Sequence, residues 1–412
     1  MRFCVWSGSS FEQWYSSYHL MQQLLLAMID KGHEVWLVQA QRVDGRMPED
    51  LQNRDRLHVV NIPQPAVEKS DFIQRYIKGF QYYLLSGKMV RKTAKAIGGF
   101  DAVFLQSNNN AIIPVEIAKQ IRTPVVYNVQ DIFPIDAMVI GKLKKSNPAF
   151  VVARWLQAQA YRKADRVVTI SEDLKKTIVG EGRKDVDVIY NWSYRNEAYD
   201  IPDDQNHFLQ TYGFKRGDGF RVVYAGNVGQ MMNWNMIIES AKLLLGYEDI
   251  VFYIIGEGSG LKRLKARAEE EKLSNIRFYD RQPMEYAPDN YCMADVNINP
   301  VPKGVMYTCM PSKTATCLLS QRPTVVAMDP ESDMAGRLSK VDQWTVVAPD
   351  DVKGMTEAIL KYYNEIDWRN GESKMSKDAG TFLNDLGPVE NAYKYVRVLE
   401  EAAKRKKYEE TK

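Results

Sequence analysis

RVVYAGNVG (221–229) and DIVFYIIGEGSG (249–260) decide the fold of this chain of 412 residues. The first run is apolar and β-rich, stops at Gly226 and Gly229, and leads into a helical spacing of Met236, Ile237, Ser240, Ala241, Leu244 and Leu245. The second stops at GEGSG (256–260) and enters a charged helix, LKRLKARAEEEK (261–272). NIRFYD (275–280) and ADVNINPV (294–301) continue the alternation, and Pro311-Ser312-Lys313 opens the next helix. Strand, glycine turn and helix in succession specify parallel βαβ units, whose open sheets bind ligands beyond the carboxyl ends of their strands.

The first half has the same grammar. RFCVWS (2–7) runs into a Ser/Gly turn and a helix that ends near Gly32, and EVWLVQA (34–40) follows directly. Further strands are expected at 57–63, 101–107, 124–129, 166–171 and 186–191, most of them apolar on both faces as strands covered on both sides by helices should be. Polar, proline and glycine residues between 193 and 219 read as a connection. The expected organisation is therefore α/β, with an N-terminal domain at 1–195, a linker at 196–218, a C-terminal domain at 219–385 and a C-terminal helix at 386–412 able to return to the first domain.

Composition excludes several classes. The net charge of +3, from 55 basic and 52 acidic residues, is too balanced for nucleic acid to be the expected partner. Cys4, Cys292, Cys309 and Cys317 form no CxxC pair or Cys/His cluster, so neither a disulfide framework nor a metal site is expected. The start of the chain lacks the apolar core of a signal peptide, and no run approaches the length of a membrane span. A reduced, cytoplasmic setting is the expectation.

Taken together, DIFP (131–134), YRKADRVVTISEDLKKTI (161–178), VIYNWS (188–193), YAGNVG (224–229), IIGEGSG (254–260), NIRFYDRQP (275–283), ADVNINPV (294–301) and MPSK…QRPTVVA (310–327) resemble the retaining family 4 glycosyltransferases. The branch resembled most builds bacterial O-antigen and capsule repeat units. The resemblance implies a GT-B fold of two Rossmann-like domains facing a central cleft, a nucleotide-sugar donor, a lipid-linked saccharide acceptor and retention of anomeric configuration; the residues themselves offer no metal-ligand cluster, so no cofactor or metal is expected. The chain also departs from the family. A pair of glutamates eight positions apart is common there, whereas here the second position is Thr316 and the region around Thr308 has no carboxylate. The loop 226–235 has no Lys or Arg where a basic pair often holds the donor diphosphate, and Gln130 stands at the usual histidine.

A departing nucleoside diphosphate carries growing negative charge, so its site must supply cations and backbone N–H groups. Pro311 suits a first helical turn, and the free N–H groups near Ser312 and Lys313 suit an anion. Lys313 is the candidate phosphate ligand and catalytic residue; the plain alternative is a solvated lysine. Gly8, Gly226, Asn227, Gly229, Gly256, Glu257, Gly258, Met310 and Thr316 complete the candidate donor site, with Arg281 beside the expected nucleobase loop. A dinucleotide-binding reading of GEGSG fails on the GxGxxG spacing. Glu331 and Asp333 are substitutes for the missing ribose-binding glutamate. Asp131 is the second candidate catalytic residue, for acceptor binding or orientation, unless it is only a helix N-cap. The four histidines are scattered, and His19 reads as a packing residue.

Residues 71–97 mix Phe72, Ile73, Tyr76, Ile77, Phe80, Tyr83 and Leu84 with Arg75, Lys78, Lys88, Arg91, Lys92 and Lys95. With GKLKKSNP (141–148) they are expected to meet an anionic membrane surface, unless the stripe is ordinary core. Two rival functions remain at this stage: a sugar-nucleotide epimerase on the same fold, and a non-catalytic partner subunit. An epimerase needs acid and base side chains that this chain scarcely offers, and a non-catalytic subunit should bind nucleotide sugars weakly or not at all.

Overall fold

A computed structural model describes residues 1–9, 18–41, 47–64, 72–193, 199, 201–369 and 380–410. Of the expected linker, 196–198 and 200 lie outside the described residues, as does Ser10 of the first Ser/Gly turn.

The chain divides into two compact units, the first comprising Met1–Tyr194, Thr308–Met310 and Gly387–Lys412, the second Arg195–Tyr307 and Pro311–Leu386. Unit 1 is built on β1 (Arg2–Trp6), β2 (Glu34–Gln41), β3 (Leu57–Pro63), β4 (Ala102–Gln106), β5 (Val125–Val129), β6 (Arg166–Thr169) and β7 (Asp187–Val188). These pair in parallel in the order β3-β2-β1-β4-β5-β6-β7. Its helices are α1 (Tyr18–Asp30), α2 (Phe72–Ile97), α3 (Ile112–Gln120), α4 (Ile135–Val139), α5 (Pro148–Lys163) and α6 (Glu172–Gly180). Unit 2 holds α7 (His207–Tyr212), β8 (Phe220–Ala225), α8 (Trp234–Leu243), β9 (Ile250–Ile255), α9 (Leu261–Glu270), β10 (Ile276–Tyr279), α10 (Ala287–Cys292) and β11 (Val296–Pro300). It continues through α11 (Lys313–Ser320), β12 (Thr324–Ala327), α12 (Asp333–Leu338), β13 (Trp344–Val347), α13 (Val352–Glu365) and α14 (Gly380–Asp385). Its sheet is parallel in the order β10-β9-β8-β11-β12-β13. α15 (Pro388–Glu410) belongs to unit 1, against α1 and β4.

Each sheet is apolar on both faces because helices cover both. In unit 1 Phe3, Val5, Phe104 and Val126 pack with Tyr395, Val396 and Leu399 of α15. In unit 2 Tyr224, Phe252, Ile254 and Ile298 pack with Met355, Ile359 and Trp368. Polar side chains start the helices as capping chemistry requires: Asn147 accepts from Ala149 N, Ser171 from Leu174 N, and Asn233 from Met236 N.

Two expectations change. The polar stretch before residue 219 is not an open connection: Asn206 caps α7, and Phe208 is fully buried in an aromatic group with Phe214 and Tyr279. Asn206 also donates to Asp289 O and Asp289 accepts from His207 N, which ties α7 to α10. The strand expected over 186–191 shortens to Asp187–Val188, although Ile189 N still donates to Thr169 O.

Candidate functional site

In unit 2 the strand order reverses between β8 and β11, the switch point where open parallel sheets leave a crevice. Gly226 follows β8 and Gly256 follows β9, with φ of +130° and +149°. A Cβ on Gly256 would stand 1.9 Å from the Gly226 carbonyl oxygen, so only glycine permits the two turns to touch. The turns are laced together by Gly226 N to Ile255 O, Val228 N to Glu257 O and Gly260 N to Val228 O. Gly258 and Gly229 lie in the same pair of loops, Gly229 tight against Asn227.

Lys313 opens α11, the helix after β11, and its side chain lies over these turns. Its Nζ donates to the Tyr224 hydroxyl, sits 3.9 Å from that ring's centroid and 3.9 Å from Met232 Sδ. A Cβ on Gly226 would stand 3.3 Å from both Lys313 Cε and Nζ. No carboxylate pairs with Lys313 among the described residues. Burial lowers its ammonium to about 7, an effect that Cys317 partly opposes. The Tyr224 hydroxyl in turn donates to Asn227 O, and Tyr291 donates to Ala225 O, which holds the end of β8. Ser312, the N-cap of α11, is exposed and makes no side-chain cap, so its side chain claims none of the first-turn N–H groups, of which Thr314 N donates to Pro311 O.

These contacts bring together Gly226, Asn227, Gly229, Gly256, Gly258 and Lys313. Thr316, partly buried, lies one turn along α11. Pro311 is not in the first turn as expected: α11 begins at Lys313, and Pro311 O accepts from Thr314 N ahead of it. Glu257 and Arg281 pair with each other at 3.2 Å in an exposed position. Of the ribose-site substitutes, Glu331 is exposed and Asp333 accepts from Arg337 within α12. Sequence reasoning missed Tyr224, Met232 and Tyr291. The signal for Tyr224 was an aromatic side chain two residues before a glycine turn, but its hydroxyl points to Lys313 only because β8 and α11 are neighbours in the fold.

Gly8, Asp131 and Met310 belong to unit 1. Gly8 is needed where it is because a Cβ there would stand 2.8 Å from the Tyr83 hydroxyl. Asp131 is exposed and makes an antiparallel bridge with Cys309, while Ile132 N donates to Thr308 O. Asp131 does not cap a helix, since α4 begins at Ile135 with Pro134 as its cap. Gln130 is tied on both sides: it donates to Asn128 Oδ1 and accepts from Asn191 Nδ2, and Tyr395 donates to the same Asn128 oxygen. His19 bonds Trp192 O, a packing contact.

The description of a glycosyl transferase 4-like domain matches residues 20–192, and that of the glycosyl transferases group 1 matches residues 219–365. WbjE of Pseudomonas aeruginosa, a probable glycosyltransferase, is 26% identical over 235 residues, 56% of this chain and 58% of that protein. The match thus spans less than two thirds of that relative. WcaI of Escherichia coli, a putative colanic acid biosynthesis glycosyl transferase, is 24% identical over 284 residues, 66% of this chain and 69% of that protein. HepE of Anabaena, solved with UDP, superposes with a TM-score of 0.67 at 14% identity over 97% of this chain and 100% of that one. WaaG, a glycosyltransferase involved in lipopolysaccharide biosynthesis, gives 0.65 at 13% identity over 97% and 98%. Two parallel α/β units of this order, matched along nearly their whole length by such structures, have the GT-B fold, and the chain belongs to the glycosyltransferases, with a glycosyl transferase 4-like domain followed by a group 1 domain.

Proposed function

We propose that this protein transfers a sugar from a nucleoside-diphosphate sugar to a lipid-linked saccharide, with retention of configuration, during assembly of a cell-surface polysaccharide. The observation that carries the reading is Lys313, an unpaired cation at the open end of α11 beside two glycine turns. Its ammonium and the first-turn N–H groups bind the diphosphate and stabilise the charge that develops as the glycosidic bond breaks. The glycine turns let backbone approach the donor, with Glu257 and Arg281 at the outer edge. Asp131 orients the acceptor, and the departing phosphate takes the acceptor proton, so no side-chain base is required of Gln130. Transfer proceeds without a resident metal. The names of WbjE, WcaI and WaaG support a place in polysaccharide assembly, and UDP bound to HepE makes a uridine diphosphate sugar the first donor to test.

The acceptor's lipid places the enzyme at the cytoplasmic face of a membrane. No described helix is long and apolar enough to cross one. Attachment through α2 rests on Ile77, Phe80, Leu84 and Leu85, all exposed, beside Lys88, Arg91, Lys92 and Lys95. Titration with UDP, GDP and TDP, followed by melting temperature, tests the donor site, because a ligand that binds only the folded state stabilises it by mass action. No shift with any of them at millimolar concentration would favour the non-catalytic alternative.

A further inference from the structure

We propose that unit 1 holds the headgroup of an anionic phospholipid in a slot between α5 and α6, with one face of α5 seated in the bilayer surface. The inference rests on the membrane-facing part of the function proposed above, but on different residues from those of α2.

Val151, Val152 and Trp155 of α5 are 58%, 56% and 57% exposed. Their spacing puts them on one side of the helix, while Phe150, Ala158 and Tyr161 are buried in the unit. Large apolar side chains gathered this way mark a contact surface, and tryptophan suits the boundary between lipid and water. Beside them is a cavity of about 480 Å³ lined by Lys145, Phe150, Arg154, Trp155, Arg162 and Glu181, among others. Arg154 meets Glu181 at 2.6 Å, which neutralises the one carboxylate. Lys145 and Arg162 have no ion pair among the described residues.

The slot therefore combines two uncompensated cations with an aromatic and aliphatic rim. A free phosphate would satisfy the cations and leave the rim in water, whereas a phospholipid satisfies both. The charge is complementary to an anionic headgroup, and Lys142 and Lys144, just before the slot, add to it. α3 packs against both α2 and α5, so the slot and the basic stripe of α2 share one layer of unit 1.

The test uses the full chain with phosphatidylcholine vesicles, with and without phosphatidylglycerol. Wild type should sediment with the anionic vesicles only. Replacing both Lys145 and Arg162 with Gln should weaken that binding about fivefold per cation removed, with the melting temperature unchanged. Trp155→Phe should lose part of the fluorescence quenching caused by brominated lipid. Wild-type binding by the double variant, together with unaltered quenching in Trp155→Phe, would overturn the slot and leave membrane attachment through α2 standing. Failure of wild type to bind anionic vesicles would remove both. Displacement by an equal concentration of inorganic phosphate would make the slot a free-anion site and overturn the lipid assignment.

Discussion

Lys313 carries the most specific expectations. Losing one charge-assisted phosphate contact costs about 1.5–3 kcal/mol, so Lys313→Met should weaken nucleoside-diphosphate binding roughly ten- to 150-fold in a folded protein. Calorimetric titration measures this, and unchanged affinity would move the phosphate site elsewhere. The same lysine predicts a pH dependence. Its free-state value is about 7 because of burial. Below that pH the ammonium is already formed; above it, binding an anion must take up a proton, so affinity should fall as pH rises past 7. Lys313→Arg, always charged, should flatten that fall, and a parallel profile in the two proteins would assign it to another group. Folding responds with the opposite sense. The unfolded lysine holds its proton to about 10.5, so between 7 and 10.5 the unfolded state binds more protons and stability rises with pH. Gly256→Ala tests the laced turns: a Cβ against the Gly226 oxygen, at a positive φ, should cost about 1–3 kcal/mol in strain and should reduce nucleotide affinity. A variant with wild-type melting and binding would show that the turns open freely.

Among the elements, α15 is the one whose role depends most on the fold. It follows unit 2 in sequence but completes the core of unit 1, with Leu399 fully buried beside Val396 and Tyr395, whose hydroxyl reaches Asn128 in β5. Asn391 donates to Tyr190 O and fastens the start of the helix. Leu399→Ala should therefore destabilise unit 1 by about 2–5 kcal/mol, seen as an earlier transition in denaturant, while nucleotide binding by unit 2 persists below that transition. Unchanged stability would mean that the surroundings refill the cavity. α11 shows the converse case. It is short, and its importance lies in following β11 at the switch point.

For the molecule as a whole, two expectations concern its setting. Transfer should continue in excess EDTA, since the proposed site stabilises the leaving diphosphate with Lys313 and backbone N–H groups; loss of activity restored by a divalent ion would refute the metal-free part. Changing Lys88, Arg91, Lys92 and Lys95 to Gln should release the protein from anionic vesicles, each cation being worth about 1 kcal/mol at most near such a surface, and leave nucleotide affinity intact. Retention equal to wild type would return α2 to the plain reading of a solvated helix.

Much of the architecture was legible in the chain because it depends on local rules. Short apolar runs rich in β-branched and aromatic residues and ended by Gly226 and Gly256 read as buried parallel strands with tight turns, and the order of motifs from DIFP to QRPTVVA resembles one family. Lys313 stood out for the same reason, as a cation after a proline at a helix start. What the chain could not display was which side chains meet across long separations. Tyr224 and Lys313 are 89 residues apart, and only the adjacency of β8 and β11 brings the hydroxyl to the ammonium, whose pKa is lowered by burial. Polarity also misled around residue 206, where Asn206 is buried because it caps α7 and bonds α10. The slot beside α5 was likewise decided by packing, because burial and unpaired charge are properties of neighbours in space that sequence order does not record.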